Sequence, residues 1–154
     1  MQLLNAGKVL ELFIALKSAP KQQREMIEVD GDGIVGDKFY AKDANRAILL
    51  TSKESYLLAE KNGITFEYGL LGENILLDIN PYGLVPGDRV EIGDLMLEIT
   101  QNCTICNSLS TIDKILPKLL QCDRGIFAKT LSNGVIKKDD KVKIYKRKDD
   151  EKDI

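Results

Sequence analysis

Histidine is absent from all 154 residues, tryptophan is absent too, and aromatic residues make up only 6% of the chain. Without histidine there is no Ser-His-Asp triad, no Cys-His pair, no imidazole general base and no imidazole-ligated metal. An activated thiol in this chain must take its stabilising charge from lysine, arginine or backbone N–H groups. So few aromatics argue against a stacking platform for single-stranded nucleic acid. A formal net charge of −2 provides no basic field for nucleic acid or an anionic membrane surface. No apolar run approaches the length of a membrane span. The opening stretch MQLLNAGKVLELFIALKSAP has Lys8 and Glu11 inside its apolar run, no basic leader and no small-residue cleavage site. A secretory signal is therefore not expected, and a cytoplasmic location is. The cysteine count is odd, in keeping with a reducing compartment, and at three it falls one short of the usual four-ligand zinc set. No metal site is expected from these ligands alone.

What is present reads as one domain. The length suffices for a core without disulfide or metal staples, and 44% hydrophobic with 30% charged residues is ordinary for a globular chain. KVLELFIAL (8–16), EMIEVD (25–30), RAILL (46–50) and ENILLDI (73–79) read as strands. PYGLVPGDRVEIGDLMLEITQ (81–101) reads as two more, with turns at Pro86-Gly87-Asp88 and Gly93-Asp94. TSKESYLLAEKNG (51–63) is the clearest helix. Thr51 and Glu54 form a capping-box pattern, Tyr56, Leu57 and Ala59 mark a face, and Gly63 is the stop. STIDKILPKLL (110–120) predicts a short helix capped by Ser110 or Thr111 and kinked near Pro117. GIFAKTL (125–131), an Asn133-Gly134 turn and KVKIY (141–145) predict a closing hairpin. Strands this short, with turns this frequent, predict a mainly β, bent or barrel-like sheet with two or three short helices, spanning residues 5–146. The charged residues 147–154 are expected to form a disordered tail.

Two of the cysteines stand as Cys103-Thr104-Ile105-Cys106 in a polar loop at a strand end. A thioredoxin-like dithiol would open a helix in a βαβ unit, which this β-rich pattern does not supply. Cys122 reads as a small apolar core residue. GDGIVGD (31–37) contains G-x-G-x-x-G, but no helix follows, so it reads as a tight loop and not as a dinucleotide fingerprint. GLLGEN (69–74) places Glu73 and Asn74 at the mouth of a strand, as a ligand-binding pair or as partners of their own loop. Arg46 leads a short strand, and its planar fork would suit an anion.

The order of these features resembles the MOSC domain, named for the C-terminal part of molybdenum-cofactor sulfurase and also found as small standalone bacterial proteins. The resemblance rests on Gly33-Ile34-Val35-Gly36-Asp37, Arg46 before an apolar strand, GLLGEN (69–74), LVPGDRVEIGDLMLEIT (84–100), Cys106 and RGIFAKTL (124–131), over about residues 7–145. It implies a bent, barrel-like fold and sulfur handling through a cysteine, or association with the molybdenum cofactor, molybdenum binding and the pyridoxal-phosphate sulfurases. It also implies a separate partner protein, either a sulfur donor or a molybdenum enzyme. The family's cysteine falls on Cys106, and Gly36, Asp37, Arg46, Glu73 and Asn74 match its other motif positions as cofactor-binding residues. Cys103 is an addition to the pattern, near where many members carry a basic residue. Arg46 first, then Lys38 or Arg124, are the cations that would replace it. The late Gly-Asp turn is here Lys138-Asp139-Asp140. The resemblance leaves three functional classes in view: a sulfur carrier using Cys106 with Cys103 as a resolving thiol, a non-catalytic cofactor- or partner-binding module, and a cytosolic dithiol redox protein.

Overall fold

The structure, a computed structural model, describes residues 1–17, 21–103, 107–121 and 124–147, with backbone only at 107 and 108. Among the described residues, eleven strands and two α-helices follow one another. The strands before the first helix are β1 (Gln2–Ile14), β2 (Gln22–Arg24), β3 (Met26–Asp30), β4 (Gly33–Ile34) and β5 (Ile48–Ser52). Helix α1 (Lys53–Lys61) precedes β6 (Ile75–Leu77), β7 (Arg89–Ile92) and β8 (Leu95–Asn102). Helix α2 (Leu116–Leu119) precedes β9 (Ile126–Thr130), β10 (Gly134–Lys137) and β11 (Lys141–Lys146). Short 3-10 turns lie at Ala44–Arg46 and Asn107–Thr111.

Among the described residues, seven strands close a barrel in the order β1-β6-β5-β9-β8-β7-β11 and back to β1, with β2 attached beside β1. Closure depends on the length of β1. Its first half pairs with β11 and its second half with β6, and the register shifts between Leu3 and Asn5 and between Val9 and Glu11. Such bulges bend a strand enough to serve two neighbours at different angles. β5 and β6 are the parallel pair, and α1 makes the crossover between them. A small antiparallel sheet, β10-β3-β4, covers one side.

The barrel interior is aliphatic. Leu12, Ile48, Leu50, Ile75, Leu77, Val90, Ile92, Leu97 and Ile99 fill it, and Ile27, Val29, Ile34 and Ile136 from the small sheet complete it. Burying each such side chain stabilises the fold by about 1.5–3 kcal/mol. A second cluster lies outside the barrel wall, where Tyr56 and Ala59 of α1 meet Leu71, Leu76, Leu109, Leu116 and Leu120. β6 shows the division directly: Ile75 and Leu77 join the interior, while Leu76 between them joins the helix layer.

Several local expectations need correcting. The helix begins one residue later than its capping pattern predicts: Ser52 is the N-cap, its hydroxyl accepting from the Glu54 N–H, while Thr51 still belongs to β5. Pro117 opens α2 and does not kink a longer helix, because proline needs no N–H partner in a first turn. Arg46 lies in a 3-10 turn before β5 and does not lead the strand. The predicted hairpin does not form. β9 has both edges taken, by β5 and β8, so β10 leaves the barrel to pair with β3, and β11 returns to β7 and β1. Arg147 is still fixed at the start of the expected tail, its N–H donating to Asp88 at 2.9 Å. Cys106 and Cys122 lie outside the described residues, as do 148–154.

Candidate functional site

The two motif loops meet at the end of β1. Asp37 closes the glycine-rich loop after β4, where Gly36 has φ of +89°, a conformation that favours glycine. The Asp37 carboxylate accepts from the Ala15 N–H at 2.7 Å, the Phe39 N–H at 3.1 Å and the Asn74 amide at 3.2 Å. Asn74 in turn accepts from the Leu49 N–H at 3.0 Å and donates to the Phe13 carbonyl at 3.3 Å. A backbone N–H can only donate, so the amide oxygen must face Leu49 and the amide nitrogen must face Phe13 and Asp37. Asn74 thus continues the ladder between β1 and β5 at the point where β6 begins.

Glu73, its neighbour, turns the other way. Its side chain is fully buried on the helix side, accepting from the Thr51 hydroxyl at 2.9 Å and from the Tyr56 hydroxyl. The second carboxylate oxygen, Oε1, has no partner. Tyr56 also accepts from the Gly69 N–H at 3.1 Å, so one phenol ties α1 to both ends of the GLLGEN loop. Burial, then the Glu73 charge and its hydrogen bond, push the Tyr56 phenol well above its ordinary range.

Two cations converge on Gly72. The Lys21 ammonium donates to the Gly72 carbonyl at 2.7 Å and the Glu73 carbonyl at 2.8 Å. Burial lowers Lys21 to about 8; Lys38 adds slightly to that, while Asp37 and Glu73 oppose it. On the other flank, Arg124 is only 7% exposed, and its Nη2 would lie 3.9 Å from a Cβ placed on Gly72. Gly72 has φ of +92°, a backbone conformation that favours glycine at this position. The Arg124 Nη1 reaches the Cys103 sulfur at 2.7 Å, while its Nε is buried without a partner. The pairing of β8 with β9 produces this meeting: Asn102 faces Ile126, and the Cys103 N–H donates to the Gly125 carbonyl at 3.0 Å.

The structure therefore joins Gly36, Asp37 and Asn74 in one network, places Glu73 beside it, and brings Cys103 to Arg124. Arg46 has a different described contact. It is exposed, its guanidinium carbon lying 5.1 Å from the Phe127 ring centroid, a cation–π contact. Lys38 lies over the ring of Phe39, with its ammonium 5.0 Å from the centroid. Sequence reasoning missed Lys21, which no motif marks. It also assigned Thr51 and Tyr56 to helix capping and an amphipathic face, where they are the partners of a buried carboxylate. Among the described residues no three His, Cys, Asp or Glu side chains gather as a metal site, and no helix is long and apolar enough to cross a membrane.

A bare glycine Cα flanked by a lysine and an arginine, with one buried guanidinium nitrogen unsatisfied, fits an anionic group beside the cysteine loop. Comparison with known proteins identifies the family and the fold. The MOSC domain profile matches residues 31–143. No curated protein matches the chain. Among solved structures, the chain is similar to the YuaD protein from Bacillus subtilis at 18% identity and TM-score 0.77, covering 94% of this chain and 98% of that one. It is also similar to YiiM from Geobacillus stearothermophilus at 18% identity and TM-score 0.66, covering 92% and 74%. YiiM from Escherichia coli gives the same identity and score, covering 92% and 71%.

Proposed function

Because the chain belongs to the MOSC family, whose members are associated with the molybdenum cofactor, we propose that it handles sulfur in connection with that cofactor, through the thiols of the Cys103–Cys106 loop. The observation that carries this reading is the convergence of Lys21 and Arg124 on Gly72 immediately beside Cys103. Two cations and a bare Cα make a recess suited to an anionic sulfur species or to the anionic part of a cofactor. Lys21 and Arg124 would hold the cofactor there, and when bound it supplies a metal–sulfur centre for redox chemistry. Asp37 and Asn74 act by fixing the two loops that form the recess, with Gly36 allowing the turn. Glu73 contributes its carbonyl, which orients Lys21, and its buried carboxylate, which anchors the loop to α1. Arg46, exposed over the Phe127 ring, would serve as a contact to a partner protein.

In this reading Cys106, at the family's position, accepts sulfur from a persulfide donor. Its thiolate attacks the donor's outer sulfur, the donor's S–S bond breaks, and the donor leaves as a thiolate. The Cys103 thiolate then attacks the inner sulfur of the Cys106 persulfide. A Cys103–Cys106 disulfide forms, hydrosulfide leaves, and a dithiol reductant restores both thiols. To test this, the protein is incubated with a small-molecule persulfide and the cysteine-bearing peptide is fragmented in a mass spectrometer. One added sulfur on Cys106, accumulating in Cys103→Ser and missing from Cys106→Ser, is expected. An unmodified wild-type peptide, or equal labelling in Cys106→Ser, rejects the carrier role. The competing view of a non-catalytic binding module predicts that Cys106→Ser leaves cofactor affinity unchanged while Lys21→Met weakens it.

A further inference from the structure

The cysteine that the family pattern does not call for is the one the described structure supplies with a charge. Arg124 is nine-tenths buried, and among the described residues no carboxylate lies within ion-pair distance of it. Burying a guanidinium is costly unless an anionic partner returns the lost solvation. The atom facing it is the Cys103 sulfur, 2.7 Å from Nη1. A neutral thiol is a weak acceptor for that charge, whereas a thiolate completes an ion pair. Among the described residues, the other charged groups near this point are engaged elsewhere. Lys21 is occupied by the Gly72 and Glu73 carbonyls, and the Glu73 carboxylate faces Thr51 and Tyr56. The backbone fixes the meeting as well, since Cys103 directly follows β8, Arg124 stands two residues before β9, and the Cys103 N–H is bound to the Gly125 carbonyl.

We propose that Arg124 is a positioning residue that holds Cys103 as a thiolate at neutral pH, making Cys103 the ionised nucleophile that discharges sulfur from its neighbour. The role rests on the sulfur-handling reading above for its substrate, a cysteine persulfide, but its physical content is separate: a Cys103–Arg124 ion pair.

The test uses the full chain with Cys106→Ser, so that Cys103 is followed by fragment-resolved iodoacetamide labelling as pH is varied. Cys103 is expected to titrate at least one unit below the ordinary thiol value of about 8.5. Its alkylation rate at pH 7 should fall about tenfold in Arg124→Met, with Arg124→Lys recovering part of the loss. Should Arg124→Met fail to fold, the thiolate absorbance near 240 nm decides alone, as the difference between the Cys106→Ser and Cys103→Ser/Cys106→Ser proteins on acidification. Thiolate absorbance persisting at pH 7 supports the pair. A Cys103 profile in the ordinary thiol range, or one that Arg124→Met leaves in place in a folded protein, overturns it. A low-titrating Cys103 in a protein that takes up no sulfur would reject the sulfur-carrier reading and leave the ion pair standing. Sulfur loading with an ordinary Cys103 would do the reverse.

Discussion

The inside of the barrel and the layer between barrel and helices are both closed to water, yet they are built on opposite principles. The interior, from Leu12 round to Ile144, is filled by aliphatic side chains whose demands are for volume alone. Outside it lie the buried polar residues: Thr51, Tyr56 and Glu73 on the helix side, Asn74 and Asp37 at the end of β1, and Arg124 beside Cys103, most of them fixed by named partners. An aliphatic core tolerates exchange of shape for shape, whereas a polar layer tolerates no change of donor for acceptor. The candidate site belongs wholly to the second kind. Its residues gain geometry from one another, and the uniform barrel beneath holds the strands that carry them.

The sharpest way to break this comparison is a pair of near-isosteric substitutions. Leu50→Met, in the interior, should cost less than about 1.5 kcal/mol by denaturant unfolding. Asn74→Asp, with almost no change of volume, should cost more than about 3 kcal/mol. It removes the donor to Phe13 and sets a second carboxylate against Asp37. Equal costs would mean that the polar layer is no more exacting than the apolar one. Tyr56→Phe is the next step down. Losing one hydroxyl strips the Glu73 carboxylate of a partner and leaves the Gly69 N–H unbonded, a loss of about 2 kcal/mol. Thermal unfolding of the two proteins side by side measures it, and an unchanged midpoint would show that water replaces the phenol.

The same division decides what could be read in the sequence. Apolar alternation and turn residues announce a mainly β barrel, because each strand writes its burial into its own residues. Neighbours are another matter. The pairing of β9 with β5 and β8 is settled by closure of the whole sheet, so a local Asn-Gly turn misleads. Gly36, Asp37, Glu73 and Asn74 were visible as motif positions, although not the opposite directions in which Glu73 and Asn74 turn. Arg124 was one of three cations that could serve the thiols, and only the cross-strand register brings it to Cys103. Lys21 carries no local mark at all, since its role comes from two carbonyls about fifty residues away in the chain.

Lys21 extends the comparison to pH. Its folded value of about 8 lies below the unfolded value of 10.5, so between those limits the unfolded chain holds a proton that the folded chain has released. Stability from this group therefore rises as pH climbs from 8 to 10.5, and below pH 8 its burial is a constant cost. About 3 kcal/mol is the ceiling, and roughly half of it is expected at a part-exposed site. The readout is the difference in unfolding free energy between wild type and Lys21→Met across that window, where the titration of other groups cancels. A flat difference would mean that Lys21 titrates normally and sits loosely on its two carbonyls.

The smallest effects test whether the loops are as exacting as the buried layer they support. Among the described residues, two other than glycine have positive φ: Ala41, at 60°, in the loop after Asp37, and Asp139, at 70°, in the turn before β11. A Cβ in that region meets the following carbonyl, a strain of about 1–2 kcal/mol for alanine. Aspartate tolerates it better. Asp139 takes the place of the glycine expected of the late Gly-Asp turn, and its N–H still reaches the Val9 carbonyl at 3.0 Å. Its ion pair with Lys8, at 3.9 Å and exposed at both ends, adds little. Ala41→Gly should accordingly raise stability by about 1 kcal/mol, and Asp139→Gly by under about 0.5 kcal/mol, after the added freedom of the unfolded glycine is counted. Reversal of that order in paired denaturant titrations would show that the Ala41 loop relaxes its own strain, and that the rim of the site is softer than the network of Asp37 and Asn74 beneath it.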